Sequence, residues 1–225
     1  MHRSGKCESK EMKKIVVLNY GLGNVRSVSN ALRAIGAAPE VSCDESTIKY
    51  ADGLIIPGVG AYPQGMANLF ESGLIPMIRN FIDSGRPVLG ICLGMQLLFD
   101  KGIEHEFTDG LGLIPGVVDL IPVPPEEGRL PHIAWSTVTS TEIGRQSIFA
   151  GMSDNEMRFY FVHSYAATGV KPENLSATVK YLGRDIVAAV QQENIWGTQF
   201  HPEKSGPSGL RVLQNFMLSS QRKFI

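Results

Sequence analysis

From Ile15 the chain reads IVVLNY, a short β-branched run closed by Gly21 and Gly23. Val25, Val28, Leu32 and Ile35 then recur at the spacing of one helical face, and Gly36 suits the helix C-terminus. The pattern predicts strand, glycine turn, helix. Two further short strands are predicted at residues 40–43 and 54–56, the second running directly into Pro57-Gly58-Val59-Gly60; Cys43 reads as a small core residue. A helical stretch around residues 66–82 is interrupted by Gly73 and Pro76, and residues 87–91 form another apolar strand. Strands alternating with helices imply a parallel sheet.

The second half has a different texture. Residues 113–125 are proline-rich, and residues 133–138, 159–165, 176–182 and 186–191 read as strands with few helices between them, which predicts antiparallel pairing. Trp196-Gly197-Thr198-Gln199-Phe200 is a last strand ending at His201, followed by an amphipathic helix carrying Leu210, Leu213, Phe216 and Met217. The fold class is therefore α/β: a mostly parallel central sheet flanked by helices, with an antiparallel β addition.

Composition narrows the function classes. Hydrophobic residues are 43 % of 225, enough to close a large core, and the net charge of -1 offers no general attraction to nucleic acid or anionic lipid. Cys7, Cys43 and Cys92 are too few and too scattered for a disulfide framework or a zinc cluster, so neither a metal nor a cofactor is expected and a reducing cytoplasm is the natural compartment. The opening MHRSGKCESKEM lacks the apolar run of a secretory signal, and no segment approaches the ~20 apolar residues of a membrane span. Residues 1–12 read as a polar extension, with Met12 as an alternative start and Cys7 as an incidental surface thiol. Without repeats or linkers, residues 13–225 read as one domain.

The sharpest chemical signal is Gly90-Ile91-Cys92-Leu93-Gly94, a lone cysteine between glycines where a strand turns into a helix beginning near Met95. It is a thiol form of the nucleophile elbow, in which a strained turn lifts the nucleophile above the sheet and glycines avoid backbone collisions. The adjoining helix N-terminus favours the thiolate. A buried structural cysteine would fit the same five residues, so a base is the next requirement. Phe200-His201-Pro202-Glu203 supplies one: Pro202 disfavours helical geometry at His201, so an extended segment would project His201 and Glu203 to one side, the carboxylate orienting the imidazole. Pro57-Gly58-Val59-Gly60, at a third strand end, can present backbone N–H groups as oxyanion donors, with Leu93 N–H as the other. It lacks the Lys-Ser/Thr pair of a nucleotide P-loop, and Gly21-Leu22-Gly23-Asn24 lacks the third glycine of a dinucleotide fingerprint.

GICLGMQLLF at 90–99, HPEKS at 201–205 and IPGVGAY at 56–62 closely resemble the class I glutamine amidotransferases. More narrowly, NYGLGNVRSV at 19–28, PHIAW at 131–135 and FVHSY at 161–165 resemble the glutaminase subunits of imidazole glycerol phosphate synthases. The resemblance implies Cys92 as nucleophile, His201 as base and acid, Glu203 as its orienter, and Val59 and Leu93 as oxyanion donors. It also implies L-glutamine contacts at Gly58, Gly60, Gln96, Ser164 and Tyr165, with Gln96 one helical turn beyond Cys92 and Met95 beside it in the core. It further implies a TIM-barrel cyclase partner in a heterodimer, faced by Asn24, Trp135, Tyr160 and Lys204. The chain departs from the subunit pattern at Ala134, Ser136 and Ala166. A paralogue feeding ammonia to another synthase, such as one modifying a surface sugar, would keep the triad and alter these contacts. An idle regulatory subunit and a hydrolase of other γ-glutamyl amides are the competing readings.

Overall fold

The computed structural model describes residues 12–124 and 126–219. The predicted extension, with Cys7, lies outside them except for Met12. Along the chain, β1 (Lys14–Leu18), α1 (Val25–Ala34), β2 (Ala38–Ser42), α2 (Glu45–Lys49), β3 (Gly53–Ile56), α3 (Tyr62–Glu71), α4 (Leu74–Asp83), β4 (Val88–Ile91) and α5 (Leu93–Gln96) form the alternating half. They are followed by β5 (Phe99–Gly102), β6 (Thr108–Asp109), β7 (Ile114–Leu120), β8 (His132–Ser140), α6 (Glu142–Gln146), β9 (Arg158–His163) and β10 (Tyr165–Thr168). β11 (Leu175–Tyr181), β12 (Arg184–Gln192), β13 (Ile195–Thr198) and α7 (Gly206–Ser219) complete the described chain.

Nine strands form one sheet in the order β2-β1-β3-β4-β13-β12-β11-β8-β9, and β10-β7-β5-β6 form a second. β2, β1, β3, β4 and β13 pair in parallel, and every ladder from β13 outward through β12, β11, β8 and β9 is antiparallel. The mixed sheet follows from the burial pattern. β3 and β4 are buried at every position, as parallel strands covered on both faces must be. β1 sends Ile15 and Val17 into one core and Val16 and Leu18 into the other, the period-two alternation of a strand between two layers. Val28 and Leu32 of α1 and Val212, Leu213 and Phe216 of α7 close the first core; Leu69, Leu74, Ile78 and Phe81 of α3 and α4 close the second. No helix among the described residues is long and apolar enough to cross a membrane.

Several expectations are corrected. Cys43 is exposed, because β2 is the edge strand and its outer face is uncovered. The helical stretch at 66–82 is two helices joined at Gly73, whose φ of 67° a glycine adopts without strain; Pro76 falls in the first turn of α4, where its missing N–H costs nothing. The proline-rich segment contains β7, paired with both β5 and β10, and its ladder to β5 is irregular beside Pro115. The run at 159–165 is two strands: the chain leaves the large sheet after His163 and enters the second at Tyr165.

The tightest point in the fold is Gly94. A Cβ there would lie 1.8 Å from the Ile56 carbonyl oxygen, and one at Gly90 would lie 2.5 Å from the Gly94 oxygen. Gly94→Ala must push β3 away from α5, so equilibrium urea denaturation should show a loss of about 3 kcal/mol or more. A midpoint equal to that of the wild type would contradict this packing.

Candidate active site

Three chain segments converge at the carboxyl ends of adjacent parallel strands. β3 ends in Pro57-Gly58-Val59-Gly60, β4 ends at Cys92, and β13 leads through Gln199 and Phe200 to His201, with β3 beside β4 and β4 beside β13. This is the end of an α/β sheet where ligands bind. Cys92 sits at φ 53° and ψ -110°, a backbone that non-glycine residues rarely adopt, and its N–H donates to the Thr198 oxygen at 2.7 Å. The predicted elbow strain is present, and a β13 backbone contact holds it. α5 is a single turn, so the Leu93 N–H lacks an intrahelical partner.

Pro202 leaves His201 extended at φ -98°, as expected, but residues 202–204 form a tight 3₁₀ turn instead of continuing the strand. His201 and Glu203 still meet, through that turn: imidazole Nδ1 and carboxylate Oε1 are 2.8 Å apart, with both side chains almost wholly buried. Ser205 locks the turn, donating to the His201 carbonyl at 2.6 Å and accepting from Tyr160 N–H at 3.0 Å. His201 Nε2 has no partner of hydrogen-bonding geometry among the described residues. Burial is the largest influence on this imidazole and lowers its pKa, but interactions with Cys92 and Glu203 outweigh it and raise the value to about 9.

The pocket has a volume of about 330 Å³ and is bordered by Val59, Gly60, Cys92, Leu93, Gln96 and His201, and on its far side by the Ser164–Tyr165 backbone. It therefore gathers every predicted triad, oxyanion and glutamine-contact residue at its edge except two. Glu203 lies behind His201, and Gly58 packs on the elbow itself: a Cβ there would lie 2.7 Å from both Gly94 N and Leu93 Cβ. There Gly58 holds the loop against the turn at Cys92. Met95 is fully buried, as expected.

The sequence reading missed four groups. Tyr20 Oη donates to the Pro57 carbonyl at 2.6 Å and anchors the loop at residues 57–60; burial, with Cys92 adding, pushes its phenol pKa up, so it stays a donor. Glu104 borders the pocket while its Oε2 accepts from Tyr62 N–H at 2.7 Å. Gln199 donates from Nε2 to Cys92 Sγ at 3.7 Å, and His163 lines the wall beside Ser164. Gln199 stands two residues before His201 in the quoted strand, and His163 is in the quoted FVHSY, so both were visible without being assigned a role.

The four partner-facing candidates fall in two places. Trp135 and Tyr160 are cross-strand neighbours on β8 and β9 with ring centroids 6.1 Å apart, and the Lys204 ammonium lies over the Tyr160 ring at 5.8 Å. Asn24 caps α1, its Oδ1 accepting from Ser27 N–H at 3.2 Å, and α1 packs beside the 202–204 turn.

The fold carries the glutamine amidotransferase class, and residues 16–220 match the Glutamine amidotransferase class-I family. The chain belongs to that family. It is 43 % identical over 202 residues to the imidazole glycerol phosphate synthase subunit HisH of Listeria monocytogenes, covering 90 % of this chain and 94 % of that protein. It is 44 % identical over 213 residues to the subunit of the same name from Streptomyces avermitilis, covering 91 % and 96 %. Among solved structures, PurLQS from Thermotoga maritima superposes with a TM-score of 0.70 at 19 % identity, over 92 % of this chain and 99 % of that one, a likeness of fold.

Because Cys92 favours the His201 imidazolium, Cys92→Ala should remove one of the two partners that oppose burial, leaving Glu203. The His201 ring, followed by proton NMR, titrates near pH 9 in the wild type and at lower pH in the variant. A raised folded-state pKa also means that the stabilisation from this group is complete below about 6.5 and is lost as pH rises through about 9. Identical His201 titration in both proteins would show that the two side chains do not interact.

Proposed function

We propose that this chain is the glutaminase subunit of an imidazole glycerol phosphate synthase in histidine biosynthesis. It hydrolyses L-glutamine and hands ammonia to a TIM-barrel cyclase that makes imidazole glycerol phosphate and an aminoimidazole carboxamide ribotide. The observation that carries this reading is the Cys92–His201–Glu203 constellation at adjacent strand ends, in a chain 43–44 % identical along most of its length to subunits of that name.

The chemistry follows from the groups present. The Cys92 thiolate attacks the side-chain amide carbon of glutamine, and the N–H groups of Leu93 and Val59 receive the oxyanion. His201 passes a proton from Nε2 to the departing nitrogen, so ammonia leaves and a γ-glutamyl thioester forms. Water, losing its proton to Nε2, attacks the thioester; glutamate leaves and the thiolate returns. Glu203 holds the imidazole and balances its positive charge throughout. At the pocket's outer end, both Gln96 amide hydrogens are engaged, by the Tyr165 carbonyl and by Gln199 Oε1, each at 3.0 Å. Gln96 Oε1 and the Glu104 carboxylate are left as acceptors suited to the α-ammonium of glutamine.

Ammonia released to water is protonated and ceases to be a nucleophile, so the chemistry calls for a partner docked over the site. The exposed face of β8 supports this: Ile133 is 58 % and Trp135 46 % exposed, beside Tyr160 and Lys204 and close to His201. The intact, buried triad argues against an idle regulatory subunit.

The test is glutamate release from L-glutamine, with and without the cyclase carrying its nucleotide ligand. Turnover should be slow for the chain alone and rise with the partner, because the Gly58-Val59-Gly60 segment places its oxyanion donor fully only when docked. Cys92→Ala should abolish turnover, a loss of 10³-fold or more, and Glu203→Gln should reduce it less. Full activity of the isolated chain, or undiminished turnover of Cys92→Ala, would overturn the reading.

A further inference from the structure

The Tyr165 carbonyl oxygen receives two side-chain contacts, from His163 Nδ1 at 2.9 Å and from Gln96 Nε2 at 3.0 Å. A carbonyl only accepts, so both nitrogens carry hydrogen toward it, and every orientation further out follows. With its amide nitrogen inward, Gln96 also donates to Gln199 Oε1 at 3.0 Å. That leaves Gln199 Nε2 to face Cys92 Sγ at 3.7 Å. On the opposite side, a neutral His163 protonated on Nδ1 has Nε2 as an acceptor. The nitrogen 3.2 Å away, His132 Nδ1, must then carry the hydrogen, and His132 Nε2 accepts from Ser136 Oγ at 3.0 Å. His132, His163, Gln96 and Gln199 are all buried, so water does not compete for these groups. Burial also keeps both imidazoles neutral, lowering His132 and holding His163 down to about 4 against the bond to the Tyr165 carbonyl.

We propose that Gln96, its amide set by the Tyr165 carbonyl, fixes the Gln199 amide as a donor to the nucleophile's sulfur, with His163 and His132 as positioning residues that hold that carbonyl from β8. Its two arms differ in kind. Gln199 touches the reacting atom and stabilises the thiolate directly by a charge-assisted bond. The histidines do not touch the sulfur; they hold the Tyr165 carbonyl where it accepts from Gln96, at the point where the chain changes sheets. The assignment rests on Cys92 being the nucleophile of the proposed glutaminase.

Two measurements on the full chain test it, and neither uses glutamine. In a nitrogen-15 spectrum of the histidine-labelled protein at pH 7, His132 and His163 should both be neutral Nδ1–H tautomers, the form less populated by free imidazole. A merely structural pair in the Nε2–H form at either site would overturn the proposal. In parallel, alkylation of Cys92 by iodoacetamide at pH 7, followed on its own peptide by mass spectrometry, should slow about tenfold in Gln199→Met and several-fold in His163→Leu. His163→Asn, which keeps a donor where Nδ1 stood, should recover most of the rate. Equal rates in wild type, Gln199→Met and His163→Leu would refute it. Should the wild type fail to hydrolyse glutamine in complex with its cyclase, the glutaminase reading would fall while the tautomers and alkylation rates could still stand.

Discussion

Everything at this site depends on how closely backbone can approach backbone where β3, β4 and α5 meet. Gly90, Gly94 and Gly58 carry no side chain at points where a Cβ would lie between 1.8 and 2.7 Å from neighbouring atoms. That approach lets the chain turn at Cys92 with a positive φ and lays the loop at residues 57–60 directly on that turn. The strain at Cys92 is held from one side by the Thr198 carbonyl and from the other by the packed loop, itself tied by Tyr20 to the strand end before it. A thiol on a relaxed loop would have neither the direction nor the fixed neighbours.

Electrostatics then divide the pocket. Near Cys92, His201 and Glu203 form a buried pair whose imidazole is biased toward the charged form despite desolvation, a bias that requires both an adjacent carboxylate and an adjacent sulfur. Farther out, uncharged amides and imidazoles take over, arranged so that each donor has an acceptor. β8 serves both regions, since Trp135 faces outward while its neighbours His132 and Ser136 enter the polar chain. The surface and Cys92 are thus joined by one strand and five hydrogen bonds beyond it, which meet at the Tyr165 carbonyl.

Local chemistry made much of this legible in the amino-acid order. Gly90-Ile91-Cys92-Leu93-Gly94 and His201-Pro202-Glu203 announce their geometry because steric rules act over a few residues, and the parallel half of the sheet follows from apolar strands alternating with helices. What escaped depends on distant approach. Gln199 and Cys92 are 107 positions apart, and Gln96 and Gln199 103, so no spacing rule connects them. β7 was hidden because Pro115 masks a strand that tolerates it at an irregular point of its ladder. Cys43 was misplaced because an apolar-looking run does not reveal which strand will lie at the sheet's edge.

The central claim is that the sulfur of Cys92 and the imidazole of His201 behave as one reacting pair. It is tested most directly by the rate of Cys92 alkylation at pH 7 in the wild type and in His201→Asn. The pair predicts that removing the imidazole slows the reaction several-fold or more. Equal rates would contradict it.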